Sequence, residues 1–280
     1  MNNFLVRTIT GIIFVAAIVV SFLKPAAMVF LFAVVTGLTV WEFCGLVNDR
    51  KAGVRVNQFI STVAAVYLFL AMAGYNSGMT SSTVFIPYLV SIIYLLVAEL
   101  YLKEADPIND WAFTMLPQLY IALPFSLLSV LAFPSEGSYS PVLPLSVFVF
   151  LWMNDTGAYC VGSLLGRHKL FPRISPGKSW EGSIGGGVLV VIVAVLVCYL
   201  LERFWPGQSS LGMIQWAGLG LVVVVFGTWG DLVESLFKRT LGIKDSGNIL
   251  PGHGGMLDRF DSSLLAIPAA VVYLYTLTLV

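Results

Sequence analysis

LGMIQWAGLGLVVVVFGTWG, residues 211–230, runs for twenty residues without a charged side chain, and Asp231 follows it. Twenty helical residues at about 1.5 Å each span the roughly 30 Å hydrocarbon core of a bilayer. This stretch decides the fold class, because the rest of the chain repeats it. Of 280 residues, 58% are hydrophobic and 11% charged, against roughly 25% charged in a soluble domain. The sequence predicts an all-α, polytopic membrane protein. About nine spans are expected, near 6–23, 26–46, 58–75, 82–102, 112–133, 142–161, 183–202, 212–238 and 261–280. Residues 1–140 would hold five of them, and residues 141–280 four more together with the polar motifs.

Charge is distributed unevenly over the connecting loops. Arg7 and the loops after spans 2, 4, 6 and 8 hold 13 of the 15 Lys and Arg residues, while the opposite loops hold only Lys24 and Arg203. By the positive-inside rule the N-terminus is cytoplasmic and the C-terminus external. The first apolar run has no small-residue cleavage site before Lys24-Pro25 and reads as a retained span of an inner-membrane protein. Cys44, Cys160 and Cys198 sit in or beside apolar runs without a CxxC pair, so they read as packing residues. Net charge is zero, and no nucleic-acid partner is expected.

The polar residues concentrate on the predicted cytoplasmic side. Asp231 would lie about 10 Å deeper than Lys238 along one helix. An intramembrane Asp costs about 2.5–3.5 kcal/mol on insertion scales and needs a cation, a metal or a polar cavity. Ser235 and Lys238 share its helical face; an ion pair with Lys238 or Lys178 is the plain alternative to a metal. Asp155, near the end of span 6, poses the same question. Glu42 and Glu99, near span ends, read as interfacial residues. Residues 244–261, KDSGNILPGHGGMLDRFD, follow. Gly252, Gly254 and Gly255 surround His253 and would let backbone N–H groups approach an anion. Asp258 and Asp261 are one helical turn apart, and Asp carboxylates with phosphate oxygens suit Mg²⁺. In ISPGKSWEGS (174–183), Ser175-Pro176 has the form of an N-cap followed by proline at N1. That predicts Lys178 and Ser179 in a first helical turn, favourable for phosphate. Together these features equip the chain for phosphoryl or nucleotidyl transfer at headgroup depth.

SLFKRTLGIKDSGNILPGHGGMLDRFD, Ser235 to Asp261, resembles the signature of phosphatidate cytidylyltransferases, the CDP-diglyceride synthases. The elements stand in order: Ser235, Lys238-Arg239, Lys244-Asp245, Pro251-Gly252, His253-Gly254-Gly255 and Asp258-Arg259-x-Asp261. NDTGAYCVGSLLG and ISPGKSWEGS are similar to that family too, so the likeness covers most of 150–265. Ser179 stands where Thr is expected, and Gly177 where the family is often larger or basic. The resemblance implies transfer of the cytidylyl group of CTP to phosphatidic acid, giving CDP-diacylglycerol and pyrophosphate. It implies Mg²⁺ on Asp231 and Asp258, with room for a second cation such as K⁺, and a homodimer in the membrane. Because the acceptor is already an anionic phosphate, repulsion is the obstacle. Lys178, Lys238, Arg239, Lys244 and Arg259 would relieve it. His253 would contact pyrophosphate or orient an Asp; the role of Asp245 stays open. The alternatives are a related CTP-dependent enzyme with another lipid acceptor, and an anion transporter. The one-sided charge speaks against the transporter.

Overall fold

The computed structural model describes residues 3–51, 53–102, 106–135, 137–207, 211–249, 252 and 254–278. Lys103, Pro251 and His253 lie outside the described residues, and the expectations placed on them rest there. The chain is mostly helical. Among the described residues, six helices are long and apolar enough to cross a membrane: Pro25–Arg50, Gln58–Asn76, Pro107–Ala132, Trp180–Phe204, Met213–Thr240 and Leu257–Leu277. The other predicted segments, 6–23, 82–102 and 142–161, also contain helix.

The chain folds as two compact units. The first comprises Met1–Tyr139 and Thr240–Phe260. It contains α1 (Asn3–Ser21), α2 (Pro25–Arg50), α3 (Gln58–Asn76), α4 (Ile86–Ala98), α5 (Pro107–Pro117) and α6 (Leu123–Ala132). Prolines set several starts: Pro25 opens α2, Pro87 lies in the first turn of α4, and Pro107 opens α5. A missing N–H costs nothing where no intrahelical acceptor exists. Asn57 caps α3 by accepting from the Ile60 amide at 3.0 Å. Between α5 and α6, Gln118–Ala122 widens into a π turn directly after Pro117. A proline inside a helix displaces the carbonyl four residues back, and a wider turn absorbs that displacement. The centre of this unit is aromatic. Phe125 and Phe260 meet edge to face at 5.4 Å, and Phe32 lies 6.2 Å from each.

The second unit comprises Ser140–Arg239 and Asp261–Val280. It contains α7 (Val142–Leu165), α8 (Trp180–Phe204), most of α9 (Met213–Thr240) and most of α10 (Leu257–Thr278). Lipid tails are as apolar as leucine, so helices in a bilayer associate through close van der Waals contact, which small residues permit. A Cβ on Gly157 of α7 would come within 2.9 Å of the Gly186 Cα of α8. The backbones of α9 and α10 approach in the same way at Gly230, where a Cβ would lie 2.6 Å from the Asp261 carbonyl oxygen.

Two expectations are corrected in this unit. The chain is not wholly α-helical, because β1 (Lys169–Phe171) and β2 (Ser175–Ser179) form an antiparallel hairpin. Ser175 is therefore a strand residue rather than an N-cap, and Pro176 does not open a helix. Pairing with Lys169–Phe171 holds 175–179 extended, and the helix begins only at Trp180. The N-cap is Ser179, whose Oγ accepts from the Gly182 amide at 3.2 Å. Glu181 then turns back, accepting from the Arg167 and His168 amides at 3.1 and 3.2 Å, and its Oε1 lies 2.5 Å from His168 Nδ1. A serine does cap this helix, four residues later than the Ser-Pro pair suggests.

Candidate active site

Asp231 lies on α9 in the second unit, with both carboxylate oxygens engaged. Oδ2 is 2.5 Å from Lys178 Nζ, and Oδ1 accepts from Ser235 Oγ at 3.1 Å. The serine is the i+4 neighbour anticipated from helical spacing, and of the two lysines considered, Lys178 at the end of β2 is the partner. Lys238 instead pairs with Glu234 one turn before it, at 2.6 Å. Glu234 is fully buried. Lys238 and Arg239 also occupy the last turn of α9, where cations complement the helix dipole.

Glu234, beside Asp231 on the same side of α9, is a site residue whose weight the sequence does not reveal. One oxygen from each of Asp231, Glu234 and Asp261 lies within 4.8 Å of the other two. Gly230 contributes by admitting the α10 backbone beside Asp231. Asp155 on α7 and Asp231 are both within electrostatic reach of Asp261. Three carboxylates thus converge, with Asp155 within electrostatic reach, and the ammonium groups of Lys178 and Lys238 are in contact with two of the three. Oxygen-only donors with a surplus of negative charge are the chemistry of a hard divalent cation. A cavity of about 330 Å³ in the same unit is lined by Asn154, Asp155, Tyr159, Lys178, Ser179 and Thr228, among others. Polar groups therefore line the space next to the Lys178–Asp231 pair.

Asp258 and the glycine loop belong to the first unit, and their carboxylates are used differently. Asp258 Oδ2 accepts from the amides of Ser246 and Gly255 at 2.8 and 2.9 Å. An acidic residue in the first turn of α10 is also favoured by the helix dipole. The Gly255 amide, expected to face a phosphate, is held by Asp258. Gly254 has φ +85, and a Cβ there would lie 2.5 Å from Asp258 Oδ2. A Cβ on Gly255 would overlap the carboxylate of Glu42, and one on Gly247 would lie 2.6 Å from Glu42 Oε2. The glycines are required in part because carboxylates occupy the space that side chains would fill.

Glu42 is the second residue whose weight the sequence does not reveal. It is 8% exposed, on α2, and is no interfacial bystander. Its Oε1 accepts from Ser246 Oγ at 2.5 Å and from the Leu257 amide at 3.0 Å, and its Oε2 from the Met256 amide at 2.9 Å. No local signal announces it, because its partners lie more than 200 residues away along the chain. The remaining candidates, Lys244, Asp245 and Arg259, are exposed, as is Arg239.

A family model described as the cytidylyltransferase family matches residues 5–277. A phosphatidate cytidylyltransferase of Staphylococcus aureus (strain COL) is 34% identical over 269 residues, covering 94% of this chain and 96% of that protein. Proteins of the same name from Staphylococcus haemolyticus (strain JCSC1435) and Staphylococcus epidermidis (strain ATCC 12228 / FDA PCI 1200) are 33% and 34% identical, with the same coverage.

Proposed function

The chain belongs to the cytidylyltransferase family, and from that premise we propose that it is a CTP:phosphatidate cytidylyltransferase of phospholipid biosynthesis. A phosphate oxygen of phosphatidic acid attacks the α-phosphorus of CTP. The new P–O bond forms as the bond to the β-phosphate oxygen breaks, giving CDP-diacylglycerol and pyrophosphate. The nucleophile is already ionised, so no strong base is needed; the barrier is charge repulsion between two anions.

The observation that carries this reading is the convergence of Asp231, Glu234 and Asp261 with Lys178 and Lys238. The donor set fits Mg²⁺, which would be held by Asp231 with Glu234 and Asp261; Asp258 remains a proposed ligand from the neighbouring motif. Bound there, the ion would neutralise developing phosphate charge. Lys178 and Lys238 rest on carboxylates in this structure. Each sits on a flexible stem that can turn to a phosphate oxygen, so the same side chains would serve both the carboxylates and the substrate. Ser235 holds Asp231 in orientation through its 3.1 Å hydrogen bond. Arg239, Lys244 and Arg259, exposed around the same motif, draw in CTP; His253 and Asp245 are assigned to pyrophosphate and ribose contacts. Ser179 and Ser175 position the hairpin end from which Lys178 extends.

The same reading makes the chain a homodimer of the inner membrane with nine spans. The N-terminus and the charged motifs would face the cytoplasm, and residues 141–280 would supply most of the chemistry. A second cation such as K⁺ would sit beside Mg²⁺. The test is release of pyrophosphate from CTP by purified protein, with and without phosphatidic acid, across a Mg²⁺ titration. Turnover that requires both is expected. Labelled CTP that transfers only to a polyprenol acceptor would reject phosphatidic acid as the substrate.

A further inference from the structure

We propose that Glu42 is a positioning residue for the transfer site, acting through Ser246 on Asp258 and on the start of α10. The inference rests on the reading of the Lys244–Asp261 segment as part of the site. Glu42 lies on α2 among the buried residues Val40, Phe43 and Cys44. A carboxylate in such surroundings costs several kcal/mol unless hydrogen bonds satisfy it. Its three donors come from one distant segment: the Ser246 hydroxyl and the amides of Met256 and Leu257. The two amides stand at the start of α10, so Glu42 caps that helix from another part of the chain and adds a negative charge at its positive end.

Ser246 makes this more than an anchor. Its hydroxyl donates to Glu42 Oε1 and accepts from the Asp258 amide at 3.3 Å, while its own amide donates to Asp258 Oδ2 at 2.8 Å. The chain of contacts runs from Glu42 through Ser246 to Asp258. Glu42 thus sets where the Asp258 carboxylate stands without itself touching substrate. Gly247 and Gly255 are the counterpart on the loop, because a side chain at either would displace the Glu42 carboxylate. Residues supporting a metal ligand typically change metal affinity or activity by about 10–100-fold when altered.

The test uses the full-length protein in detergent. Glu42→Gln keeps the size but turns an amide NH₂ toward backbone donors. Expected is a kcat about 10–100-fold lower with KM for CTP within about twofold. The Mg²⁺ concentration giving half of the cation-induced rise in melting temperature, measured without substrates, should move upward by about tenfold. Glu42→Asp should recover part of both. A folded Glu42→Gln protein with kcat near wild type overturns the proposal. So does a loss of activity matched by loss of folded protein with the Mg²⁺ midpoint unmoved, since that is what a purely structural strut would give. If Glu42→Gln does not fold, Ser246→Ala decides. It keeps the bonds from Met256 and Leu257 to Glu42 and the Ser246 amide bond to Asp258 Oδ2, but removes the hydroxyl that joins Glu42 to the Asp258 amide, so an unmoved Mg²⁺ midpoint overturns the proposal. Wild-type protein that binds Mg²⁺ but turns over no CTP with phosphatidic acid would instead reject the proposed reaction, and the melting experiment would still judge Glu42.

Discussion

The acidic cluster on α9 and α10 and the glycine loop before α10 are built from the same side chain used in two ways. In the cluster, carboxylates face ammonium groups: Asp231 faces Lys178 and Glu234 faces Lys238. In the loop, carboxylates face the backbone: Glu42 holds two amides and a hydroxyl, and Asp258 holds two amides. A lysine on a flexible stem is an exchangeable partner, which a cation can displace and which can then turn to a phosphate. A backbone amide cannot leave without unmaking the turn that carries it. One region therefore holds partners that can exchange, and the other holds partners that cannot.

The strongest challenge to that division is to remove charge without changing shape. Asp231→Asn should lower turnover by at least about 100-fold, as expected for loss of a group that neutralises transition-state charge. The protein should remain folded, because the amide still accepts from Ser235. Activity is measured as pyrophosphate release, and folding by elution and melting in detergent. Near-normal turnover would remove Asp231 from the chemistry and leave it as a plain ion-pair partner of Lys178. Asp258→Asn separates two roles within one residue. The Asn oxygen can still accept from Ser246 and Gly255, so the turn survives; a large loss of activity with an unchanged melting temperature would then belong to the proposed metal role alone. Retained activity would confine Asp258 to holding the loop.

Sequence periodicity reaches as far as interactions that stay on one helix. The apolar segments of α2, α3, α8 and α9 are visible as runs, and the Asp231–Ser235 contact follows from four-residue spacing. The choice of Lys178 over Lys238 for Asp231 does not follow, since Lys178 arrives from a strand end whose position no spacing rule encodes. The hairpin itself is hidden because Ser-Pro is a good helix start, and only pairing with Lys169–Phe171 keeps 175–179 extended. Glu42 is hidden for the opposite reason. An isolated acid in an apolar run looks interfacial until its distant donors are known.

A milder test concerns the backbone-held region. Gly255→Ala would place a methyl group into the Glu42 carboxylate, so either Glu42 or the loop must shift. Overpacking of a tight site costs about 1–3 kcal/mol, and a lower melting temperature should accompany a loss of activity. Combining Gly255→Ala with Glu42→Ala should recover part of the melting temperature, because the second change removes the clashing atoms. Two strictly additive losses would show that the glycine is needed for some reason other than Glu42.

The smallest effect is expected at a glycine of the other region. Gly177 sits in β2 beside Lys178, and a Cβ there meets nothing within 4 Å. Its backbone is not in the left-handed region that glycine alone tolerates. Substitution at an open position of this kind stays within about 0.5 kcal/mol, so Gly177→Ala should alter melting little and turnover by no more than about twofold. The contrast with Gly255 is instructive because both residues lie in motifs crowded with glycine and charge. If Gly177→Ala were as damaging as Gly255→Ala, the hairpin would have to bend at residue 177 during turnover, and Lys178 would be delivered by backbone motion rather than by side-chain rotation. A neutral outcome leaves the lysine stem as the moving part.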